Sequence, residues 1–291
     1  MDAVLLALGS AVLFGAMTVA LRLALRSGGA ADLGAVVTTG TGLVVVLFAA
    51  ALDPQTRQPL SARELAAFAL AGVLAPGLSQ VLFMAAIRDA GASRASVVVG
   101  TAPLFGATLA IILLDEPFRV PLALGAALIV VAGVLLVHEP ERPQHLRLIG
   151  LAYALVATVV FSVRDVFIRW YSGEASLGSL GAAAASLAAG WLLLAGFAAV
   201  SRRGEQILPA LRRELVRFVP AGVLFGASYV LLFEAYFRGR VTVVSPLVAT
   251  ESLWTVLLSA VFLKRSELVG PRLVLGASLV VAGGVLISAF R

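Results

Sequence analysis

The chain has 291 residues, 60% of them hydrophobic and only 13% charged, with a mean hydropathy of +1.03 and a formal charge of +6. Soluble domains carry about 25% charged residues, so a water-soluble fold of this size is excluded for want of polar surface, and lipid must be the solvent. The basic residues, all arginine except Lys264, sit at the ends of apolar runs as bilayer topology requires, which excludes a nucleic-acid-binding face.

A helix needs about 20 apolar residues to cross the hydrocarbon core. Ten such spans are predicted, at residues 3–25, 33–52, 64–87, 92–114, 119–138, 148–170, 177–201, 214–237, 241–263 and 269–290. The first has no basic leader and no cleavage site, so it reads as a span rather than a signal peptide. None alternates in the manner of a transmembrane strand. Turn residues mark the short connections, as in Ser27-Gly28-Gly29 and Asp115-Glu116-Pro117. The most polar connection, residues 139–147, falls near the midpoint between His138 and the sixth span, and His145 lies within it. It divides the chain into residues 1–138, a linker of residues 139–147, and residues 148–291. With no cysteine and both histidines at the linker, disulfides are excluded and no metal or other cofactor is expected.

The two parts are internally homologous. Ala71-Gly72-Val73-Leu74 recurs as Ala221-Gly222-Val223-Leu224 at an offset of 150, a register that also aligns Phe83 with Phe233 and Arg88 with Arg238. Leu124-Gly125-Ala126 recurs as Leu275-Gly276-Ala277 at an offset of 151, and Phe14 and Arg22 align with Phe161 and Arg169 at an offset of 147. Five spans per part is an odd number, so the second part enters the bilayer from the opposite side. The expected fold is an all-α integral membrane protein of ten transmembrane helices in two inverted five-helix repeats. Secondary transporters use such repeats, with a substrate site near the midplane between them.

Pro103 and Glu116 stand thirteen residues apart, the glutamate opens a tight turn, and Gly125 and Gly133 follow on the next span. In this pattern the chain resembles the drug/metabolite transporter superfamily, specifically the EamA-type ten-helix exporters. The second repeat departs from it: Glu251-Ser252 replaces the usual Glu-Pro, and Lys264-Arg265 replaces the turn glutamate in a turn two residues longer. The resemblance implies a central cavity lined by spans 1, 3, 4, 6, 8 and 9.

Ionisable groups at bilayer depth are rare and mark function by default. Asp165 and Arg169, and Glu234 and Arg238, are spaced four apart, so each pair either stabilises its own helix near an end or serves a site. Arg164 and Glu251 have no such local partner. Either they pair across helices, or each faces a wet cavity and binds an ionic group of the substrate. Their first-repeat counterparts, Met17 and Ala102, are uncharged, as are Thr18 and Met84 opposite Asp165 and Glu234. The duplicated architecture therefore folds without these charges, which points to the cavity. Pro103 is the proline best placed to open backbone toward it. Gln80 and Tyr229 are mid-span polar groups that either bind a ligand or link helices.

The expected function is a secondary transporter, an exporter of small polar or amphipathic metabolites with amino acids favoured. Glu251 is the candidate for proton coupling, and no catalytic or metal residues are expected. A lipid-linked flippase or a channel of the same fold is the alternative; an intramembrane enzyme lacks the necessary cluster of catalytic groups. The expected partners are a small-molecule substrate and the bilayer, with no nucleic acid and no required oligomer, in a bacterial inner membrane. Arginine and lysine number seven on the side of the termini and fourteen on the other. The positive-inside rule then places both termini outside the cytoplasm, whereas the resemblance implies the reverse.

Overall fold

The computed structural model describes residues 2–53, 61–114, 120–137, 147–172, 178–202, 206–239, 241–263, 267 and 269–289. The turn at Glu116 and the linker with its two histidines lie outside the described residues. All regular structure among them is helical: α1 (Ala3–Arg26), α2 (Ala31–Leu52), α3 (Ala62–Gly72), α4 (Ser79–Ala90), α5 (Ala92–Val99), α6 (Ala102–Leu114), α7 (Val120–Val137), α8 (Leu148–Ser172), α9 (Ser179–Ser201), α10 (Ile207–Arg238), α11 (Val241–Ala249), α12 (Glu251–Phe262) and α13 (Pro271–Ala289). Ten spans result, because three of them are each made of two helices. Seven are long and apolar enough to cross a membrane by length and composition, and α5–α6, α7 and α13 complete the set.

The three broken spans have local causes. Between α3 and α4 a π-helical turn, Val73–Leu78, carries Pro76, and Ala75 leaves helical geometry at φ −143°, ψ 119°. Span four breaks between α5 and α6 just before Pro103, whose ring cannot continue the hydrogen-bond ladder. Span nine breaks at Thr250, four residues after Pro246, and so places Glu251 in the first turn of α12. At the span-four break the Val98 carbonyl accepts from the Thr101 amide (3.0 Å) and hydroxyl (2.6 Å), and the Thr158 and Ser162 hydroxyls of α8 lie 3.4 and 3.2 Å from the Val98 and Ala102 carbonyls.

The helix packing obeys the duplication. α1 packs on α10 as α8 packs on α4, and α2 packs on α10 as α9 packs on α3 and the π-turn. α1 meets α12 as α8 meets α5 and α6, while α2 with α9, and α7 with α13, are each their own counterpart. These contacts thus map onto one another when the halves are exchanged. Large apolar side chains such as Val216, Trp170 and Val120 face outward, as lipid solvation permits.

Close approach depends on small residues, as expected where lipid supplies no hydrophobic drive between helices. At Gly72, α3 lies so near α9 that a Cβ would overlap the Ser186 carbonyl, and the Ser186 hydroxyl donates to the Phe68 carbonyl at 2.8 Å. Gly72→Ala is therefore expected to destabilise the bundle by about 1–3 kcal/mol, seen as a lower apparent melting temperature in detergent. Gly196→Ala, where nothing lies within 4 Å of the added carbon, should leave it unchanged.

Candidate functional site

α1, α5, α6, α8, α10, α11 and α12 enclose a cavity of about 50 Å3. These helices belong to spans 1, 4, 6, 8 and 9. At about 10–15 Å3 per water, the space admits a few water molecules. Its walls are mainly apolar, and three ionisable side chains, Arg164, Asp165 and Glu251, reach it.

Arg164 is almost fully buried and is surrounded on every side. Its Nε lies 2.7 Å from Asp165 Oδ1, and its Nη1 donates to the Tyr229 hydroxyl at 2.5 Å. The guanidinium carbon also stands 5.6 Å from the ring centres of both Phe161 and Tyr229, a cation–π arrangement that strengthens with desolvation. Tyr229 in turn donates to the Ala75 carbonyl at the span-three break (3.4 Å), which ties the two halves together at the site. Tyr236, two turns along the same face of α10, is within hydrogen-bonding reach of Asp165.

Glu251 lines the same cavity from the start of α12. α1 crosses the start of α12 at Gly15, where a Cβ would stand 2.9 Å from that of Trp254. Phe14 and Ser10 of α1 line the cavity with it. Ser10 and Ser228 exchange hydroxyl contacts with each other's carbonyls at 3.0 Å, fixing α1 against α10. Among the described residues Glu251 has no hydrogen-bond or ion-pair partner.

The sequence-predicted residues therefore separate. Arg164, Asp165, Tyr229 and Glu251 meet at one cavity. Arg164 pairs with its neighbour Asp165 and not with Glu251; the side chain of Arg169 lies outside the described residues. Glu234 is placed away from the cavity, bridged to Arg238 (2.5 Å) and bonded by the Ser179 hydroxyl. Pro103 packs against Gly284 of α13, and its neighbour Ala102 lines the cavity instead. Gln80 is buried outside the lining, its Nε2 without a partner among the described residues. No group of three or more histidines or carboxylates that could hold a metal occurs among the described residues.

The model of the EamA-like transporter family matches residues 1–138 and 148–289. The chain belongs to this family. A solved structure, described only as a crystal structure of a protein, is similar over 99% of this chain and 96% of its own, with 19% identity and a TM-score of 0.65; it shares the fold. No curated protein matches the chain. This EamA-like chain is accordingly a multi-pass membrane transporter with a small-molecule substrate.

A second buried ionic cluster, which the sequence reading missed, lies beyond the cavity along α1. Along α1, eight residues or about 12 Å separate Phe14 from Arg22. There Arg22 Nε meets Glu267 Oε1 at 2.9 Å, and Nη1 donates to the carbonyls of Ile87 and Arg88 at 3.0 Å. Glu267 is fully buried and also caps α5, accepting from the amides of Ala92 (3.2 Å) and Ser93 (3.3 Å). Gly91, at φ +90°, makes room: a Cβ there would stand 2.5 Å from Glu267 Oε2. Arg94 completes the cluster by donating to the Glu267 carbonyl at 2.8 Å. The turn glutamate that seemed to be replaced in the second repeat is thus present, two residues later. It aligns with Glu116 at the offset of 151 that also relates Gly125 to Gly276.

Glu267→Gln leaves a buried guanidinium without its counter-charge, a loss of about 3–5 kcal/mol. A strong drop in apparent melting temperature is expected. Because Arg94 also faces the Glu267 carboxylate (3.9 Å), Arg22→Gln alone should cost less than Glu267→Gln, and the two together no more than the sum.

Proposed function

We propose that the chain exports small polar or amphipathic metabolites, amino acids foremost, by alternating access through the central cavity. The observation that carries this reading is the placement of Arg164 and Glu251 on one cavity without mutual contact. Two opposite charges held apart suit a zwitterion, whose carboxylate reaches Arg164 while its ammonium reaches Glu251. Arg164 is oriented for this by Asp165 and Tyr229. Phe14, Phe161 and Tyr236 supply an apolar surround for a side chain.

Glu251 is the proton-coupling group in this scheme. A carboxyl that gives up its proton as the ammonium arrives, and regains it after release, exchanges one cation for the other. The small cavity is then one stage of a cycle in which opening on either side widens the space for substrate. Both halves of the cavity come from one chain, so a single copy in a bacterial inner membrane suffices.

Purified protein in liposomes tests this with labelled amino acids, in counterflow and under an imposed pH gradient. Saturable counterflow is expected for the unaltered protein. Glu251→Gln should keep exchange but lose acceleration by the gradient; undiminished gradient-driven flux in that variant would remove Glu251 from the coupling step. Uptake no greater than in empty vesicles across a broad amino-acid panel would overturn the substrate class. Arg164→Met should raise KM for amino acids tenfold or more, since a hydrogen bond to a charged group is worth about 1.5–3 kcal/mol. Amines lacking the carboxylate should show no such rise.

A further inference from the structure

The ionisable groups of the central cavity do not balance. Among the described residues one guanidinium, Arg164, shares it with two carboxylates, Asp165 and Glu251. Asp165 Oδ1 stands 2.7 Å from Arg164 Nε, so those two charges cancel in contact and Glu251 is the surplus. Other buried arginines are engaged elsewhere: Arg22 and Arg94 converge on Glu267, Arg238 is bridged to Glu234, and none of the three lines the cavity. Lipid supplies no counter-ion at this depth. The empty cavity is therefore neutral only while Glu251 carries a proton.

A zwitterion does not change this count. With its ammonium at Glu251, as above, its carboxylate joins Asp165 on Arg164, and two anions share one buried cation. If Glu251 has given up its proton, the loaded cavity holds an uncompensated negative charge, which burial makes costly. If Glu251 keeps the proton, the ammonium meets a neutral acid and nothing is exchanged. A second cationic group on the substrate removes the conflict, because each charge then has its complement. Glu251 releases one proton to water as one net positive charge enters, and takes one back when the substrate leaves, so the cavity is neutral empty and loaded. Asp165 has room for the extra cation. Its side chain is 19% exposed against 5% for Arg164, and a carboxylate accepting from Arg164 and Tyr236 keeps acceptor positions free. The rings of Phe14, Phe161 and Tyr236 on the same cavity add attraction for an organic cation.

We propose that the site selects amino acids of net positive charge, those with a second cationic group on the side chain, over zwitterionic ones. The proposal rests on the amino-acid reading of this site and names the class within it.

Lysine and norleucine share a carbon chain and differ by the terminal ammonium. Counterflow of each in liposomes holding the full chain, with pentylamine as a monocation that lacks the carboxylate, tests the choice. Lysine should show a KM about tenfold or more below that of norleucine, the worth of a hydrogen bond to a charged group. In Glu251→Gln, Arg164 and Asp165 cancel with no surplus, so the preference for lysine should disappear. The same comparison on the solubilised variant, read as ligand-induced shifts in apparent melting temperature, does not depend on transport. Equal KM values for the two amino acids, or a lysine preference that survives Glu251→Gln, would overturn charge selection and leave the amino-acid reading standing. Exchange of neither amino acid, with or without exchange of pentylamine, would overturn that reading and the proposal with it.

Discussion

A charge at the depth of the hydrocarbon can be neutralised only by the chain itself, because lipid offers neither hydrogen bonds nor counter-ions. The placement of helices follows from how the buried arginines, Arg22 and Arg164 above all, meet that demand. Arg164 is held by Asp165, the Tyr229 hydroxyl and two aromatic faces. Arg22 is held by Glu267 and two backbone carbonyls. Arg22 joins Glu267 of the second half to two carbonyls of the first, and Tyr229, which holds Arg164, reaches the Ala75 carbonyl of the first, so the contacts around both charges also fasten the halves together. The difference lies in what remains. At the cavity, Glu251 faces the space without a protein partner among the described residues, whereas at Arg22 the glutamate is consumed by the cluster.

The halves are alike in packing and unlike in chemistry. Their contacts interchange under the inverted symmetry, yet every ionisable group at the cavity comes from the second half. The first half contributes Ser10, Phe14, Val99, Ala102 and the Ala75 carbonyl that receives Tyr229. Span breaks make this possible. A continuous span nine would leave Glu251 on an ordinary helix face, whereas the interruption at Thr250 sets it at a helix start, where a carboxylate is favoured by the helix dipole.

The spans and the inverted repeat were legible in the sequence because hydropathy and register are properties of the chain alone. So was the depth of Arg164 and Glu251. Their partners were not. Adjacent residues on a helix diverge, so spacing rules favour i,i+4 pairs, yet the long Arg164 side chain folds back onto Asp165. Glu267 escaped because the count ran forward from Ser252, across the two extra residues of the second repeat. Counted back from Gly276, it falls on Glu116. Gln80 and Pro103 show the other limit: a mid-span position says how deep a residue lies, not which neighbour its helix turns it toward.

The account stands on a cavity closed at the Arg22 end by the Glu267 cluster. The chain has no cysteine, so a single introduced thiol reports without background. Ser245→Cys, on the cavity wall, and Ser93→Cys, beneath Glu267, would be treated in oriented vesicles with a membrane-impermeant maleimide. The expected result is that Ser245→Cys reacts more slowly from the face at the Arg22 end, and that adding Glu267→Gln speeds labelling of both positions from that face. Equal rates for Ser245→Cys from both faces with the cluster intact, or protection of Ser93→Cys that persists without the Glu267 charge, would contradict the account.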